Sequence, residues 1–390
     1  MAVVSIVRYK PGGESLRRAI ELCEGFAELK SHARVLIKPN VVIGDEKYRN
    51  FVKGVLTSVP VLEELIGLLR EFGCQNITIG EGSITNEEMG LSTGTAFTLA
   101  GIGEMARRLG VNLIDFHQQG FVKIDLDGHQ VEVAEAALEA DFLINVPVLK
   151  THVQTKVSLG LKNLKGTLSM TSRRIFHRYG VEKYIALLAG KLKPQLTVLD
   201  GLYTVNYGPV HYDYRELNLL VAGRDPLAAD VVGSSILGIP PERVEHLVIY
   251  ASLQGRRPSL EGIEVRGEKI SQVAIRAEWE TTWLQNIINS FGIKGIRAQT
   301  PGPSLCSGCM VTVNNVLRKF GREYSGATFD NIEICTGREP RPFKDSRLVF
   351  LFGNCSLESN PEVEGAIKVK GCPLSFAACY EALKKHAIPL

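Results

Sequence analysis

Short runs of β-branched residues alternate with amphipathic helical stretches along the first 300 residues of this 390-residue chain. The run "VSIVRY" is followed by an amphipathic stretch over residues 14–29, and then by "ARVLIKPN". Strands that alternate with helices favour a mainly parallel sheet with helices on both faces. The sequence therefore predicts a doubly wound α/β domain over residues 1–300. In such a sheet, ligands bind at the carboxyl ends of the strands.

The pattern starts again after "IKGIRAQTPGPS", a segment rich in glycine and proline. A predicted helix over residues 311–320 precedes the strands "NIEIC" and "RLVFLFGNC". The helix-like "NPEVEGA", the strand "IKVKGC" and the helix "PLSFAACYEALKKH" follow. These elements predict a second, smaller α/β domain over residues 301–390.

Charge and hydropathy exclude several classes of protein. The net charge is only +3, so composition gives no reason to expect nucleic acid or an anionic membrane as a partner. No apolar run approaches the roughly 20 residues that a membrane helix needs. The first residues also lack the basic and apolar parts of a signal peptide. We therefore expect a cytoplasmic protein.

Six of the eight cysteines lie in the last quarter of the chain. Cys306 and Cys309 precede a predicted helix, Cys355 ends one strand, and Cys372 ends another. Pro373 is expected to open the last helix. Cysteine clusters in the reducing cytoplasm usually serve metals or catalysis. Loops at the ends of parallel strands converge on one edge of the sheet, so these four thiols are expected to lie together.

Three interpretations of this cysteine set remain open. A [4Fe–4S] cluster fits one tight Cys-x-x-Cys pair completed by two separated cysteines. A structural zinc site more often uses two tight pairs, and small buried cysteines or a redox dithiol need no metal. Cys335 is a reserve ligand at the same sheet edge, whereas Cys379 is expected in the core.

The motifs "CSGC", "GNC" and "GCP" resemble the proximal-cluster pattern of [NiFe]-hydrogenase small subunits and of the related quinone-oxidoreductase subunit. The resemblance covers about the last 90 residues. It implies a flavodoxin-like domain in which a cluster is held at the strand ends by Cys306, Cys309, Cys355 and Cys372. Leu374 departs from the pattern, because many such motifs carry a second proline there.

Longer stretches of the chain resemble the family called "domain of unknown function 362" in bacteria and archaea. The matching pieces are "VLIKPNVV", "EGS", "INVPVLKTHVQTKVSLGLKNLKG", "VLDG" and "GRDPLAADVVGSSILG". Membership implies no particular reaction, and many members are noted only as iron–sulfur proteins.

Residues 142–181 contain no acidic side chain but hold seven lysines and arginines and two histidines. A surface segment usually mixes both signs of charge, so this basic segment indicates that an anion docks there. The alternative is that it is solvated, or contacts a second subunit as in a homodimer.

Strand-end positions select the candidate residues of this domain. Lys150 and His152 follow "FLINVPVL" and are the candidate catalytic groups, able to donate a proton. The candidate residues for binding the anion are Lys38 and Asn40, which follow "VLI", and Lys162, Asn163 and Lys165 of "SLGLKNLKGTLS", whose glycines and lysines suit an anion-binding loop. Further polar residues at strand ends are more often caps than catalytic groups: Glu81, Asp200, Asp225 and Asp230.

The sequence thus predicts an iron–sulfur redox protein. Its cluster would pass electrons to an anionic substrate, cofactor or partner protein bound by the first domain. One alternative is a non-redox lyase or hydratase that uses the cluster as a Lewis acid, which requires an iron without a cysteine ligand. The other is a zinc-stabilised binding protein with no reaction.

Overall fold

The computed structural model describes residues 1–44, 52–209, 214–279 and 283–390. The chain divides into two units, Met1–Trp279 and Glu280–Leu390. The division falls before the boundary at residue 300 expected from the sequence. A helix and a strand between residues 283 and 298 belong to the smaller unit, because that strand pairs with its sheet.

The larger unit is built on an eight-stranded sheet. The strands of this unit are β1 (Ala2–Arg8), β2 (Val35–Pro39), β3 (Ile77–Glu81), β4 (Asn112–Asp115), β5 (Phe121–Leu126), β6 (His129–Ala134), β7 (Phe142–Val146), β8 (Lys150–His152), β9 (Lys156–Ser158), β10 (Leu196–Val205), β11 (Tyr214–Gly223) and β12 (Ile263–Gly267). The order in the main sheet is β12-β1-β11-β10-β7-β2-β3-β4. Only β11 runs antiparallel to its neighbours, β1 and β10. The pairs β5–β6 and β8–β9 are separate antiparallel ribbons.

Helices cover both faces of this sheet. Those of the larger unit are α1 (Glu14–Leu22), α2 (Val59–Glu71), α3 (Thr93–Leu99), α4 (Ile102–Leu109), α5 (Glu135–Glu139), α6 (Gly160–Asn163), α7 (Met170–Tyr179), α8 (Val181–Leu192), α9 (Pro226–Ile236), α10 (Glu245–Leu253) and α11 (Ile270–Val273). On β2, Leu36 packs in the apolar cluster that contains residues of α8 and α9, whereas Val35 and Ile37 pack in the cluster of α1 and α2. The predicted doubly wound α/β class is confirmed.

Local sequence explains several element boundaries. Asp225 caps α9, because its Oδ1 accepts the N–H groups of Leu227 at 2.9 Å and Ala228 at 3.1 Å. Asp127 and Gly128 both have positive φ, as a tight hairpin between β5 and β6 requires. The helix expected over residues 14–29 ends early at Leu22 in α1.

The smaller unit contains a four-stranded parallel sheet in the order β13-β14-β15-β16. Its elements are α12 (Trp283–Ser290), β13 (Lys294–Ala298), α13 (Ser307–Glu323), β14 (Thr328–Thr336), β15 (Leu348–Phe352), α14 (Asn354–Ser359), β16 (Ile367–Val369) and α15 (Phe376–His386). A second, smaller α/β domain is therefore confirmed. Its strand order follows the chain and lacks the reversal of the flavodoxin-like order 2-1-3-4-5.

Two details of the smaller unit correct the sequence interpretation. "NPEVEGA" is not helical; α14 lies one turn earlier and begins at Asn354. Pro373 does not open the last helix. Ser375 caps α15 instead, its Oγ accepting the N–H of Ala378 at 3.2 Å. Pro373 therefore belongs to the loop that presents Cys372.

Candidate functional site

A lysine and a glutamate at the ends of neighbouring strands form a buried ion pair in the larger unit. Lys38 of β2 donates from Nζ to Oε2 of Glu81 on β3 at 2.7 Å, and neither side chain is more than 3 % exposed. Burial lowers the pKa of Lys38, and the charge of Glu81 opposes that shift. Glu81 also accepts the backbone N–H groups of Val41 and Gly82. The pair is therefore satisfied within the protein.

Asn163 and Gly166 close around this ion pair. Asn163 Oδ1 accepts from Lys38 Nζ at 3.4 Å, and its Nδ2 donates to Asn145 Oδ1 at 2.8 Å. A Cβ atom on Gly166 would overlap both Lys38 Nζ and Glu81 Oε1. Only glycine allows the segment after α6 to come this close to the ends of β2 and β3.

The short helix α6, which carries Lys162, is held by a carboxylate of α9. Asp230 accepts the N–H of Gly160 at 2.6 Å and that of Leu161 at 2.9 Å. Because Asp230 is fully buried, desolvation raises its pKa to about 7. The two N–H groups at the start of α6 are thus already satisfied by Asp230.

Arg173 of α7 ties the same loops together through backbone carbonyl groups. Its guanidinium donates to the carbonyls of Gly82, Ser83 and Gly166, and its Nε donates to that of Leu168 at 3.2 Å. Desolvation lowers the pKa of Arg173 to about 10. The arginine therefore fixes the end of β3 against the segment that follows α6.

Asn40 and Asp200 hold the chain that leads into α2. Asn40 donates from Nδ2 to the carbonyl of Val55 at 2.6 Å and from its backbone N–H to Thr57 Oγ1 at 2.7 Å. Asp200 of β10 accepts the N–H of Ser58 at 2.7 Å. Burial raises the pKa of Asp200. Both side chains bind protein groups at the strand-end edge of the sheet.

Lys150 and His152 lie on β8 and are each 1 % exposed. Lys150 Nζ donates to the carbonyl of Val55 at 2.6 Å. His152 Nδ1 accepts the N–H of Gln154 at 3.0 Å, so a neutral ring carries its proton on Nε2. Burial, together with the charge of Lys162, lowers the pKa of both Lys150 and His152.

Three more basic side chains approach these two. Lys162 is partly exposed, and its Nζ lies 3.5 Å from Ser158 Oγ. Desolvation nevertheless lowers the pKa of Lys162 to about 7. Lys165 Nζ is hydrogen-bonded to His177 Nε2, and the charges of both contribute to the low pKa of His152. We call this set the basic cluster: Lys150, His152, Lys162, Lys165 and His177.

The predicted binding residues of the larger unit thus fall into two groups. Lys150, His152, Lys162 and Lys165 come together in the basic cluster. Lys38 and Asn163 belong to a separate buried network with Glu81, and Asn40 binds the segment before α2.

In the smaller unit, three chain segments meet near the strand ends. The N–H of Asn354 donates to the carbonyl of Gly371 at 3.2 Å, and the N–H of Gly371 donates to Asn354 Oδ1 at 3.0 Å. Thr312 Oγ1 donates to the carbonyl of Leu374 at 3.4 Å. These bonds join the start of α14 and the first turns of α13 to the loop after β16.

Each of these segments carries one or two of the predicted ligands. Cys306 caps α13, Cys309 lies in its first turn, Cys355 lies at the start of α14, and Cys372 follows β16. A hydrogen bond with Cys306, burial and the charge of Cys372 raise the pKa of Cys309. Burial raises the pKa of Cys355, with contributions from Cys306 and Cys372. The four thiols are therefore close enough to affect one another electrostatically.

The other two cysteines of this unit are buried. Cys335 packs against Val349 and Leu351 with no exposed surface, and desolvation raises its pKa to about 12. Cys379 is fully buried on α15. Cys335, the reserve ligand of the sequence interpretation, is thus a core residue.

Two further findings concern metal and membrane. Within the described residues, no three side chains from His, Cys, Asp and Glu are grouped as a single metal ion would require. Across the same residues, no helix combines the length and the apolar character needed to cross a membrane.

Sequence reasoning missed three residues of these sites. Arg338 contacts Cys355 and lowers the pKa of its thiol. Asn145 and Gly166 take part in the network around Lys38. Arg338 follows the end of β14 by two residues, and Asn145 is polar within the apolar "FLINV". The strand-end rule therefore could have found both, but no local signal marks Gly166.

Comparisons with known proteins concern mainly the larger unit. A family model described as "Domain of unknown function (DUF362)" matches residues 35–235. A thylakoid-associated protein of Synechocystis sp. is 27 % identical over 256 residues, which cover 62 % of this chain and 76 % of that protein. The lactate racemase apoprotein of Thermoanaerobacterium thermosaccharolyticum has a TM-score of 0.33 and 14 % identity, covering 51 % of this chain and 50 % of that one. The family match includes the basic cluster and ends before the cysteines of the smaller unit.

Proposed function

This chain belongs to the DUF362 family, a domain of unknown function, and from that premise we propose that it is an iron–sulfur redox protein. In this proposal, Cys306, Cys309, Cys355 and Cys372 hold a [4Fe–4S] cluster. An anionic substrate, cofactor or partner protein bound to the basic cluster accepts the electrons. The bound cluster would supply one-electron transfer.

The observation that carries the proposal is the convergence of the three cysteine-bearing segments. Residues far apart in sequence, at 306–309, 355 and 372, reach one place through the hydrogen bonds of Asn354, Gly371 and Thr312. Their thiols raise one another's pKa values, as is expected of sulfurs that share an environment.

Some groups around these thiols oppose the rise in their pKa values. Arg338 places a positive charge beside Cys355, and the backbone of Leu374 hydrogen-bonds Cys309 and lowers its pKa. The start of the 17-residue helix α13 lies at Cys306 and adds a partial positive charge. Hydrogen bonds and charges around cluster sulfurs also tune the reduction potential.

The spacing of the cysteines along the chain favours a cluster over a zinc ion in this proposal. Zinc sites more often use two tight Cys-x-x-Cys pairs, whereas here one tight pair, Cys306 and Cys309, is completed by the separated Cys355 and Cys372.

In the larger unit, the chain's own residues would bind the acceptor and supply its proton. Lys162 and Lys165 are partly exposed and carry the charge that attracts an anion. His152, neutral with its proton on Nε2, would donate a hydrogen bond, and Lys162, with a pKa of about 7, would supply the proton.

The test is anaerobic purification with iron, sulfide and zinc analysis, a visible absorption spectrum and EPR of the dithionite-reduced protein. We expect about four irons and four sulfides per chain. Serine variants of Cys306, Cys309, Cys355 and Cys372, made one at a time, should each lose or alter the cluster. The matched controls Cys335→Ser and Cys23→Ser should keep the wild-type iron content, provided that circular dichroism shows them folded.

A colourless protein with one zinc per chain would overturn the proposal. So would an iron content that depends on Cys335. A cluster that survives one of the four substitutions with an unchanged EPR signal would favour the lyase or hydratase alternative, since that cysteine would not be a ligand and one iron would be open to substrate.

A further inference from the structure

The ribbon β8–β9 and the helix α6 bring three basic side chains to one place. Lys150 and His152 are two residues apart on β8, so they lie on the same face of the ribbon. Lys150 pairs across the ribbon with Ser158. The Nζ atom of Lys162, in the first turn of α6, lies 3.5 Å from Ser158 Oγ.

The carboxylates nearest to this place are engaged elsewhere. Glu182 of α8 raises the pKa of Lys162 but is hydrogen-bonded to His246 Nδ1 at 2.5 Å. Asp200 raises the pKa of Lys150 but accepts the N–H groups of Ser58 and Leu202. In the described part of the larger unit, no carboxylate lies within ion-pair distance of Lys150 or Lys162.

All hydrogen-bond partners described for Lys150 Nζ are carbonyl oxygens. Its Nζ donates to Val55 at 2.6 Å and to Pro209 at 3.3 Å. Because Lys150 is 1 % exposed and has no paired carboxylate, burial lowers its pKa and disfavours its charged form in the free protein. An anion bound beside it would favour that charged form.

We propose that Lys150, His152 and Lys162 bind the phosphoryl group of a small molecule. This inference depends on the proposed function in one respect, because the small molecule would be the anionic acceptor named there. The donors here are two lysines, which act as point charges when protonated, and the Nε2–H of a neutral histidine. Together they suit a tetrahedral oxyanion. A planar carboxylate is bound best by an arginine fork. The nearby Arg173 is engaged with backbone carbonyls, and Arg174 and Arg178 are exposed on α7.

Binding of a dianion should be coupled to proton uptake. Lys162 has a pKa of about 7 because it is desolvated, and a neighbouring anion favours its charged form. At about pH 8.5 the free protein holds Lys162 mostly as a neutral amine, and the complex holds an ammonium group. One proton therefore comes from the solvent. The described charged or titratable groups around Lys162 are Lys150 and His152 of β8, Glu182 of α8 and Asp230 of α9, which binds the start of α6.

The experiment is isothermal titration calorimetry of the anaerobically purified full chain with sulfate, phosphate and glycerol 3-phosphate. Sulfate is a tetrahedral dianion that does not titrate near neutral pH, so its pH dependence reports on the protein. We expect sulfate to bind about thirtyfold more weakly at about pH 8.5 than at pH 6. Tighter binding of glycerol 3-phosphate than of phosphate would indicate an organic ester, and equal binding would indicate free phosphate.

Variants at Lys162 make the test specific. Lys162→Met should weaken binding of sulfate and phosphate about tenfold or more at pH 6. Lys162→Arg keeps a permanent charge, so it should retain binding. At pH 8.5 its complex should take up about one proton fewer than that of wild type. Titrations in two buffers of different ionisation enthalpy measure this proton uptake. Lys191→Met, an exposed position on α8, should match wild type.

Three outcomes would overturn the inference: no binding of any of these anions, wild-type binding by Lys162→Met, or tighter binding of oxalate than of phosphate. Iron analysis of the same preparation separates this inference from the proposed function. If the protein contains iron but does not bind phosphate or glycerol 3-phosphate, only the phosphoryl site is refuted. An iron-free protein that binds them refutes only the cluster.

Discussion

The two candidate sites differ in how their polar groups are satisfied. In the larger unit, Lys38, Glu81 and Arg173 are bonded to protein groups. In the smaller unit, Cys372 is exposed, and Cys306 and Cys355 are partly exposed. Buried and mutually bonded side chains build a framework, whereas clustered and accessible ones are available for a ligand.

The same distinction runs through the larger unit itself. The buried network around Lys38 holds α6 and the following segment against the sheet. The basic cluster lies on that framework, and only part of it reaches solvent. Substitutions in the network should therefore cost stability, whereas those in the cluster should change mainly charge and binding.

The largest effect is expected from Lys38→Met. The substitution leaves Glu81 buried without its partner, which costs about 3–5 kcal/mol of the free energy of unfolding. Urea denaturation at neutral pH measures it. The control is Arg34→Met, which breaks an exposed pair with Asp141 and should leave stability nearly unchanged. A loss below about 1 kcal/mol for Lys38→Met would show that the ion pair of Lys38 and Glu81 does not stabilise the fold.

Arg173→Lys should come next, at about 1–3 kcal/mol. Lysine keeps the charge but cannot reach the four carbonyl groups that the guanidinium and Nε bind together. The neighbouring Arg174 is exposed on the same helix, so Arg174→Lys is the matched control and should unfold like wild type. Equal midpoints in urea for the two variants would contradict the framework role.

Gly166→Ala tests the close approach to the ion pair. The new Cβ would overlap Lys38 Nζ and Glu81 Oε1, and we expect a loss of about 1–3 kcal/mol on thermal or urea unfolding. Gly67 lies exposed in α2, and a Cβ atom added there would meet no other atom within 4 Å, so Gly67→Ala should stabilise by about 0.5–1 kcal/mol. The two substitutions should thus change the free energy of unfolding in opposite directions. A stabilising Gly166→Ala would refute the close approach of Gly166 to Lys38 and Glu81.

The last prediction concerns Lys162 and pH. Its pKa is about 7 when folded and about 10.4 when unfolded, so the unfolded chain binds more protons between these values. Stability should therefore rise with pH from about 7 to 10 and be lost as pH falls through about 7. Lys162→Met should flatten this slope, and Lys191→Met should not. Urea midpoints at about pH 7 and 9.5 give the pH dependence of stability for wild type and both variants. The same pH dependence in Lys162→Met and Lys191→Met would show that Lys162 is not desolvated.

Much of the fold could be predicted from the sequence because its signals are local. The alternation of apolar runs and amphipathic stretches predicts the doubly wound sheet, and Asp225 before Pro226 predicts the start of α9. Errors occur where tertiary contacts override local preference. Pro373 looked like the first residue of a helix, but it lies in the loop joined to α13 and α14.

The candidate residues show the same limit. The strand-end rule selected Lys38, Asn40, Lys150 and His152 alike, because sequence position cannot distinguish a bonded side chain from an available one. Cys335 and Cys355 likewise both end predicted strands, yet the first is buried under Val349 and Leu351 and the second lies at the start of α14.

By itself, the sequence determined the α/β class of both units, the acid-free basic segment and the cysteines that can reach one sheet edge. These follow from periodicity and from residue type, which are properties of short stretches of chain. Only the tertiary structure decided which charges compensate one another and which thiols meet. Those depend on distances between residues far apart in sequence, such as Lys38 and Glu81, and on how much water each group retains after folding.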